Sequence, residues 1–323
     1  MPYSVAIRTL ALRPEVLYRV IESVFSQTVP PREVAVYLAD DSVMPERRVG
    51  AERYYRVAKG MMSQRILDYR ELSAPVILML DDDIVLGPDV AGRLLDGMAE
   101  GYDLLGVDVM KTHLLPAATR LKAALTGWVL PSVFAVKAFR LRSSGAFSYI
   151  ARPIEGRIYP TDTVAGPLMM WRRSVWEALR MRDELWLERF EFAYGDDALE
   201  SYKATANGYR AGCLFTSQVE NLDAATSSGR YEADKERFYV RTLAQLLTWH
   251  RMLYRPTAGG RPSLRALIAA AARQAWMLPV MAGACVAMRS TRPMRSHLRA
   301  LRDFCREVRR PPFSLLPSYI LTE

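Results

Sequence analysis

Residues 76–89 read VILMLDDDIVLGPD. An apolar run, VILML (76–80), is followed at once by three carboxylates, Asp81, Asp82 and Asp83. A short continuous apolar run bounded by turn residues reads as a strand buried on both faces. Three adjacent acids at its end repel one another, and the apolar strand holds them close to a low-dielectric interior. An acidic turn capping the next helix is the plainest explanation. A divalent cation accounts better for the cost. Aspartate oxygens with open positions suit Mg²⁺ or Mn²⁺, which commonly complete their shell with phosphate oxygens.

Working outward, SVAIRTL (4–10) is a second short apolar strand. In RPEVLYRVIESVFSQT the apolar Val16, Leu17, Val20, Ile21, Val24 and Phe25 recur at helical spacing, and Pro14 suits a helix start. EVAVYLAD (33–40) reads as a strand closing on Asp40 and Asp41, MMSQRILDYREL (61–72) as a helix, PDVAGRLLDGMAE (88–100) as a helix and DLLGVDVM (103–110) as a strand. Strands alternating with helices predict an α/β fold with a Rossmann-like, mostly parallel central sheet flanked by helices. Ligands of such sheets bind beyond the carboxyl ends of the strands, where both acidic strand ends lie. Residues 111–160 read as irregular loops. GPLMMWRRSVWEALRM (166–181) is a strand running into a helix. FAYGDDALESYKATANGYRAGCLF (192–215) starts a helix at Asp196 and Asp197, and RYEADKERFYVRTLAQLLTWHRMLYR (230–255) is a long amphipathic helix.

The chain has 323 residues and is 50% hydrophobic, enough for one large domain or two close-packed ones. Residues 251–323 hold 13 Arg, no Lys and three acids, so the whole net charge of +9 resides in this tail and the remainder is close to neutral. A nucleic-acid binder would carry charge over its folded face, so no nucleic-acid partner is expected. Three cysteines without a C-x-x-C fit neither a disulfide framework nor a zinc site. The start, MPYSVAIRTL, lacks a signal peptide's apolar core, and the expected setting is cytoplasmic. No phosphate-loop motif of the G-x-x-x-x-G-K-[ST] or G-x-G-x-x-G type stands where it would be needed, which disfavours P-loop NTPases and dinucleotide dehydrogenases.

Two enzyme classes place D-x-D at a strand end. One is the nucleotide-sugar glycosyltransferases. The other is the haloacid-dehalogenase-like, Mg²⁺-dependent phosphatases, whose D-x-D-x-[TV] fits Asp81 as nucleophile with Asp83 and Val85. In those phosphatases the motif usually opens the domain, whereas here two strand–helix units precede it. A non-catalytic reading also stands: a basic membrane or nucleic-acid adaptor whose acidic strand ends are structural.

From residue 4 to about 255 the chain resembles the family 2 inverting glycosyltransferases of GT-A fold. VAIRTLALRPEVLYRVIESVFSQTVPPREVAVYLADDS looks like the family's opening strand, helix and Asp-Asp strand end. GMMSQRILDYRELSAPVILMLDDDIVLGPD looks like its middle segment, GPLMMWRRSVW like the strand beside the transferred sugar, and YGDDALESYKATANGYR like the segment with the catalytic acidic pair. The resemblance implies a nucleotide-sugar-binding half over 1–110 and an acceptor-binding and catalytic half over 111–255; beyond it, the composition reads 256–323 as a helical, Arg-rich region suited to membrane association. The resemblance further implies that Thr9, Asp40 or Asp41, Arg65, Asp81 and Asp82 lie at the donor nucleotide. Asp83, with Asp81, would hold Mg²⁺ or Mn²⁺. Asp197 would be the general base, with Asp196 beside it in place of the usual Glu. The opening reads Arg8-Thr9-Leu10-Ala11 where the family often has P-T-Y-N, so the base of the nucleotide stays open. No Q-x-x-R-W occurs, which disfavours a processive synthase.

Arg172 and Arg173 alternate along a strand, so at most one can point inward to a diphosphate; a surface role for both is equally weighted. In the tail, LRALIAAAARQAWMLPVMAGACVAM (264–288) has only 13 uninterrupted apolar residues, short of the roughly 20 that span a bilayer. Together with the arginines that follow, it suits peripheral contact with an anionic membrane, and hence a glycan or lipid-linked acceptor on the inner membrane face. A helical hairpin packed on the catalytic domain is the competing expectation.

Overall fold

The computed structural model describes residues 1–127, 129–132, 136–190, 194–222 and 236–321. Its centre is an eight-stranded sheet in the order β10-β12-β6-β11-β4-β1-β2-β3. These strands are β1 (Tyr3–Thr9), β2 (Glu33–Ala39), β3 (Arg53–Val57), β4 (Val76–Asp81), β6 (Leu104–Val107), β10 (Ile158–Pro160), β11 (Leu168–Arg172) and β12 (Ala211–Leu214). β1 pairs in parallel with β2 and β4, β2 with β3, and β6 with β12. β11 runs antiparallel between β4 and β6, and β10 runs antiparallel along β12. The sheet is therefore mostly parallel, as the alternation predicts.

Strand periodicity splits the core in two. Val5, Ile7, Val36, Leu78 and Leu80 face one layer, which α1 (Pro14–Phe25) and α2 (Val90–Ala99) cover with Leu17, Val20, Ile21, Leu94 and Met98. Ala6, Tyr37, Ile77, Met79 and Trp171 face the other layer. There they meet Trp176 of α4 (Arg173–Ala178), Leu199 of α5 (Asp196–Ala206), and Leu243 and Leu247 of α6 (Arg237–Trp249). Both faces of the sheet are buried, which is why its strands read as apolar runs rather than as alternating ones.

Three expectations need correction. Residues 61–72 form turns rather than a helix. Met62, Ile66, Tyr69 and Leu72 are buried as their helical spacing suggests. Tertiary partners, however, take part of the backbone: the Arg173 guanidinium donates to the carbonyls of Tyr69 (3.2 Å) and Leu72 (2.5 Å), and Ser63 N–H donates to the Glu188 carboxylate. With these groups satisfied from outside, a helical ladder is not required. Second, the half-exposed edge strand β3 was not foreseen; its alternating RYYRV lies parallel to β2. Third, 111–160 is not irregular. It contains α3 (Ala117–Gly127) and a small sheet of β7 (Leu130–Ser132), β8 (Phe139–Leu141) and β9 (Phe147–Ile150) in the order β7-β9-β8. A ribbon of β5 (Ile84–Leu86) and β13 (Val219–Asn221) completes the strands.

Of the helix expected over 230–255, α6 is present and continues as a π turn over His250–Tyr254; residues 230–235 lie outside the described part. The tail forms α7 (Leu264–Ala287) and α8 (Arg292–Glu307). α8 packs on the body through Ala300 and Phe304, and the chain then returns to the core, where Tyr319 is fully buried and its hydroxyl donates to Leu199 O at 2.5 Å.

Candidate active site

The carboxyl ends of β1, β2, β4 and β6 share one edge of the sheet with the start of the antiparallel β11. In register Arg8 of β1 lies opposite Asp81 of β4. Its Nε donates to the Asp81 carboxylate and its Nη2 to Gly166 O at 3.3 Å. Thr9 Oγ1, at the next position, donates to Asp82 and accepts from Ala11 N at 2.7 Å. The β5–β13 ribbon anchors the turn that follows, with Leu222 N donating to Asp83 O at 2.9 Å. The acidic triplet thus has three environments: Asp81 is ion-paired, Asp82 hydrogen-bonded, and Asp83 past the strand end.

The second acidic pair is about 115 residues further along the chain, by its numbering. Gly195, with φ of +92°, turns the chain into α5, a conformation that favours glycine. Asp196 and Asp197 then occupy the first helical turn, where the helix dipole favours negative charge. Arg65 reaches this pair from the turn region after β3. It is 5% exposed, pairs with Asp196, and its Nε lies 3.9 Å from Glu200. Gly166 permits that approach, since a Cβ there would come within 2.6 Å of the guanidinium. Asp197 Oδ1 accepts from Ala198 N at 2.7 Å.

Charge does not balance among these buried groups. Burial works against the charge on Arg65, but Asp196, Glu200, Asp81 and Asp197 around it raise its pKa and keep it protonated. Burial pushes Asp81 and Asp82 up to about 6 each. Asp197 also rises to about 6, through burial first and then the neighbouring Asp196, with Arg65 opposing. Burial raises Asp196 as well and drives Glu200 well above the usual carboxylate range. Neither oxygen of Glu200 has a hydrogen-bond partner among the described residues. A buried site with this excess of carboxylate accommodates added positive charge.

Among the described residues no group of three or more His, Cys, Asp or Glu side chains converges as a metal cage. The donor set fits a different mode, in which one or two carboxylates hold Mg²⁺ or Mn²⁺ and substrate phosphates supply most other oxygens. Asp83, past the strand end, with Asp81 two residues before it, suits that mode.

The remaining expected residues are more scattered. Asp40 and Asp41 lie exposed after β2; Arg56 holds Asp40 O at 2.8 Å, and Lys59 pairs with the Asp41 carboxylate at 2.7 Å. Beside them a cleft of about 310 Å³ opens between the start of α1 and the loop after β2, lined by Pro14, Tyr18, Val43 and Met44. Arg172 and Arg173 do not reach the site. β11 is antiparallel, so both lie at the far end of the sheet, where Arg172 serves Tyr102 O and Met98 O and Arg173 serves Ala74 O and Leu72 O.

Sequence reading passed over three groups. Arg8 was readable only as a departure from the family opening, although its place one residue before Thr9 puts it at the strand end. Glu200 lies one helical turn after Asp196, a spacing that places both on one face. Asp108, buried after β6, meets His113 Nδ1 at 3.0 Å on the side of the sheet edge next to β11. Only the fold brings that pair to the same edge as Asp81.

No protein-family profile and no curated protein matches the chain. Solved structures do. One is GalNAc-T7 with UDP, GalNAc and Mn²⁺, at 16% identity and a TM-score of 0.50, covering 68% of this chain and 43% of that one. Another is TarS 1–349 of S. aureus with UDP-GlcNAc, at 12% identity and a TM-score of 0.48, covering 98% of this chain and 84% of that one. The chain thus spans less than half the length of GalNAc-T7. The fold is that of the GT-A glycosyltransferases.

Proposed function

We propose that this chain is a metal-dependent, inverting glycosyltransferase of family 2 type. It moves a sugar from a nucleotide-sugar donor to a hydroxyl of a glycan or lipid-linked acceptor. The observation that carries the reading is the position of Arg65. Arg65 pairs with Asp196, and Asp197 and Asp81 of the β4 strand end lie near enough to raise its pKa, in one buried cluster at the carboxyl edge of the sheet. A fold shared with a protein crystallised with UDP and Mn²⁺ supports a nucleoside-diphosphate donor. The D-x-D spacing that suggested a phosphatase has no support from this fold, and Asp81, ion-paired with Arg8, is poorly prepared as a nucleophile.

Thr9, Asp82 and the Asp40–Asp41 loop border the donor. Asp83, with Asp81, would hold the divalent cation, which when bound offsets charge on the leaving diphosphate. Asp196 is committed to Arg65, so its part is to orient the pair. Asp197 is the base: at a pKa of about 6 it is ionised at neutral pH yet basic enough to take the acceptor hydroxyl proton. One base and no carboxylate nucleophile predict a single displacement with inversion. The enzyme works at the cytoplasmic face of the membrane as a peripheral protein, a reading supported by its arginine-rich tail.

The test is thermal unfolding with UDP, GDP, dTDP or CDP, each with and without Mn²⁺, in wild type and Asp83→Asn, with pyrophosphate as the control for the basic tail. Saturation at about 100 times Kd adds about 2.7 kcal/mol, a shift of several degrees. The expected outcome is a Mn²⁺-dependent shift with one nucleotide that Asp83→Asn abolishes. No such shift with any nucleotide would refute the reading.

A further inference from the structure

Helix α7 is amphipathic the wrong way round for a solvated helix. Every exposed residue from 264 to 287 except Arg265 is apolar or glycine, with Leu264, Ile268 and Val286 exposed by 68%, 62% and 79%. Apart from Arg265, its polar groups turn toward the protein. Arg273 donates to Ser144 O at 3.3 Å and Gly127 O at 3.4 Å, and Trp276 Nε1 donates to Leu125 O at 2.7 Å. Those contacts tie α7 to α3, which has no buried residue and itself exposes Leu121 and Leu125. A surface helix normally turns its polar face to water, and contiguous exposed apolar surface marks a contact site.

Charge identifies the occupant. Along α8, beside α7, Arg292, Arg295, Arg299, Arg302 and Arg306 recur at alternating intervals of three and four, all exposed. Glu236 and Asp303 are the acids paired with them. A second copy docking through this face would bring two strongly cationic tails together, and like charges across an interface are costly. An anionic bilayer supplies both an apolar boundary and the opposite charge.

The 24 residues of α7 make a helix about 36 Å long, and by length and composition it could cross a bilayer. Its inner face argues against that: Ala266 and Ala270 pack on Trp249, and Arg273 near the middle donates to the carbonyls of Ser144 and Gly127.

We propose that α7, flanked by α3, docks the enzyme in the plane of an anionic membrane. The outer face of α7 enters the headgroup–acyl boundary, and the α8 arginines neutralise lipid phosphates. This rests on the reading of the enzyme as peripheral and deepens it. α3 begins nine residues after Asp108, at the end of β6.

Flotation of the full chain with phosphatidylglycerol/phosphatidylcholine vesicles tests this. Wild type floats with anionic vesicles, and both pure phosphatidylcholine and Ile268→Asp/Val286→Asp reduce flotation at least tenfold. Quenching of fluorophores at Ile268→Cys, Ala275→Cys and Val286→Cys by doxyl lipids gives one shared, shallow depth. The inference is overturned by unchanged flotation in the Asp variant, by greatest depth at residue 275, which means spanning, or by a wild-type dimer that the Asp variant converts to monomer, which means a second copy covers the face. The nucleotide response with Mn²⁺ is measured on the same variants. Flotation lost with that response intact confirms that the Asp variant is folded. Flotation without any nucleotide response leaves the docking surface standing and removes the transferase reading.

Discussion

Asp196 gives its carboxylate to Arg65, while the Asp197 carboxylate is met by the backbone amides of Ala198 and Gly166. Adjacent in sequence and alike in chemistry, the two differ in environment. Asp197→Asn is expected to lower the transfer rate on the order of 10²–10⁴-fold and leave nucleotide binding nearly unchanged. Full activity in that variant would remove Asp197 from the base role. Since Asp197 must be ionised to accept a proton, kcat/KM should fall as pH drops through about 6, and a profile flat down to pH 5 would count against it. Asp82 supplies a stability test. Burial raises its folded pKa to about 6, so its proton stabilises the fold at low pH and that contribution is lost as pH rises through 6. Asp82→Asn, neutral at every pH, should raise the unfolding midpoint of the ligand-free protein at pH 7, and the advantage should shrink at pH 5 and disappear only below the ordinary carboxyl value of 3.8. Equal advantage at both values would mean that Asp82 stays ionised throughout. The pair at 196–197 and the triplet at 81–83 were legible as acids. Their separate roles were not, because each depends on a partner, Arg65, Arg8 or Thr9, that is distant in sequence.

Helix α5 and the turn residues before it are held by a buried ionic group. Glu184, from the short 3₁₀ segment Met181–Arg189, meets Lys203 of α5 at 2.8 Å and Arg251 of the π turn at 2.8 Å. Glu184 and Lys203 are fully buried, and the two cations keep the Glu184 carboxyl below its usual range despite that burial. Removing one partner of a buried ion pair strands the rest, at a cost of about 3–5 kcal/mol. Glu184→Gln should therefore lower the unfolding midpoint by roughly 10 °C. A drop of a degree or less would show that water reaches the cations. Nothing in the local sequence marks these residues: Lys203 and Arg251 sit in helical patterns where a charge is ordinarily solvated. The same limit explains the missed edge strand β3 and the turns at 61–72. Apolar spacing reports which residues are buried, and side chains from Arg173 and Glu188 then decide how the backbone is satisfied.

The C-terminal region is bound into the whole molecule rather than appended to it. Arg251 donates to Pro317 O, and the rings of Tyr319 and Tyr202 stack near the Glu184 group. Truncation after residue 310 removes Phe313 and Tyr319 from the core and should destabilise the catalytic body; an unchanged midpoint would show that the tail is dispensable. The proposed membrane contact and the stability of the fold thus involve one segment, which is why point variants on the outer face of α7 separate the two and a deletion does not.

The alternation of apolar runs with helical spacing was enough to specify a mostly parallel α/β sheet, because burial of both sheet faces leaves its mark on every strand. The acidic strand ends were enough to mark one edge of the sheet as the candidate site, because like charges beside an apolar strand demand compensation. Long-range geometry settled the rest. The antiparallel β11 carries Arg172 and Arg173 away from the site, Arg65 crosses to α5, and α7 turns its apolar side outward. Each of these depends on where distant elements lie, and a single strand or helix contains no record of its neighbours.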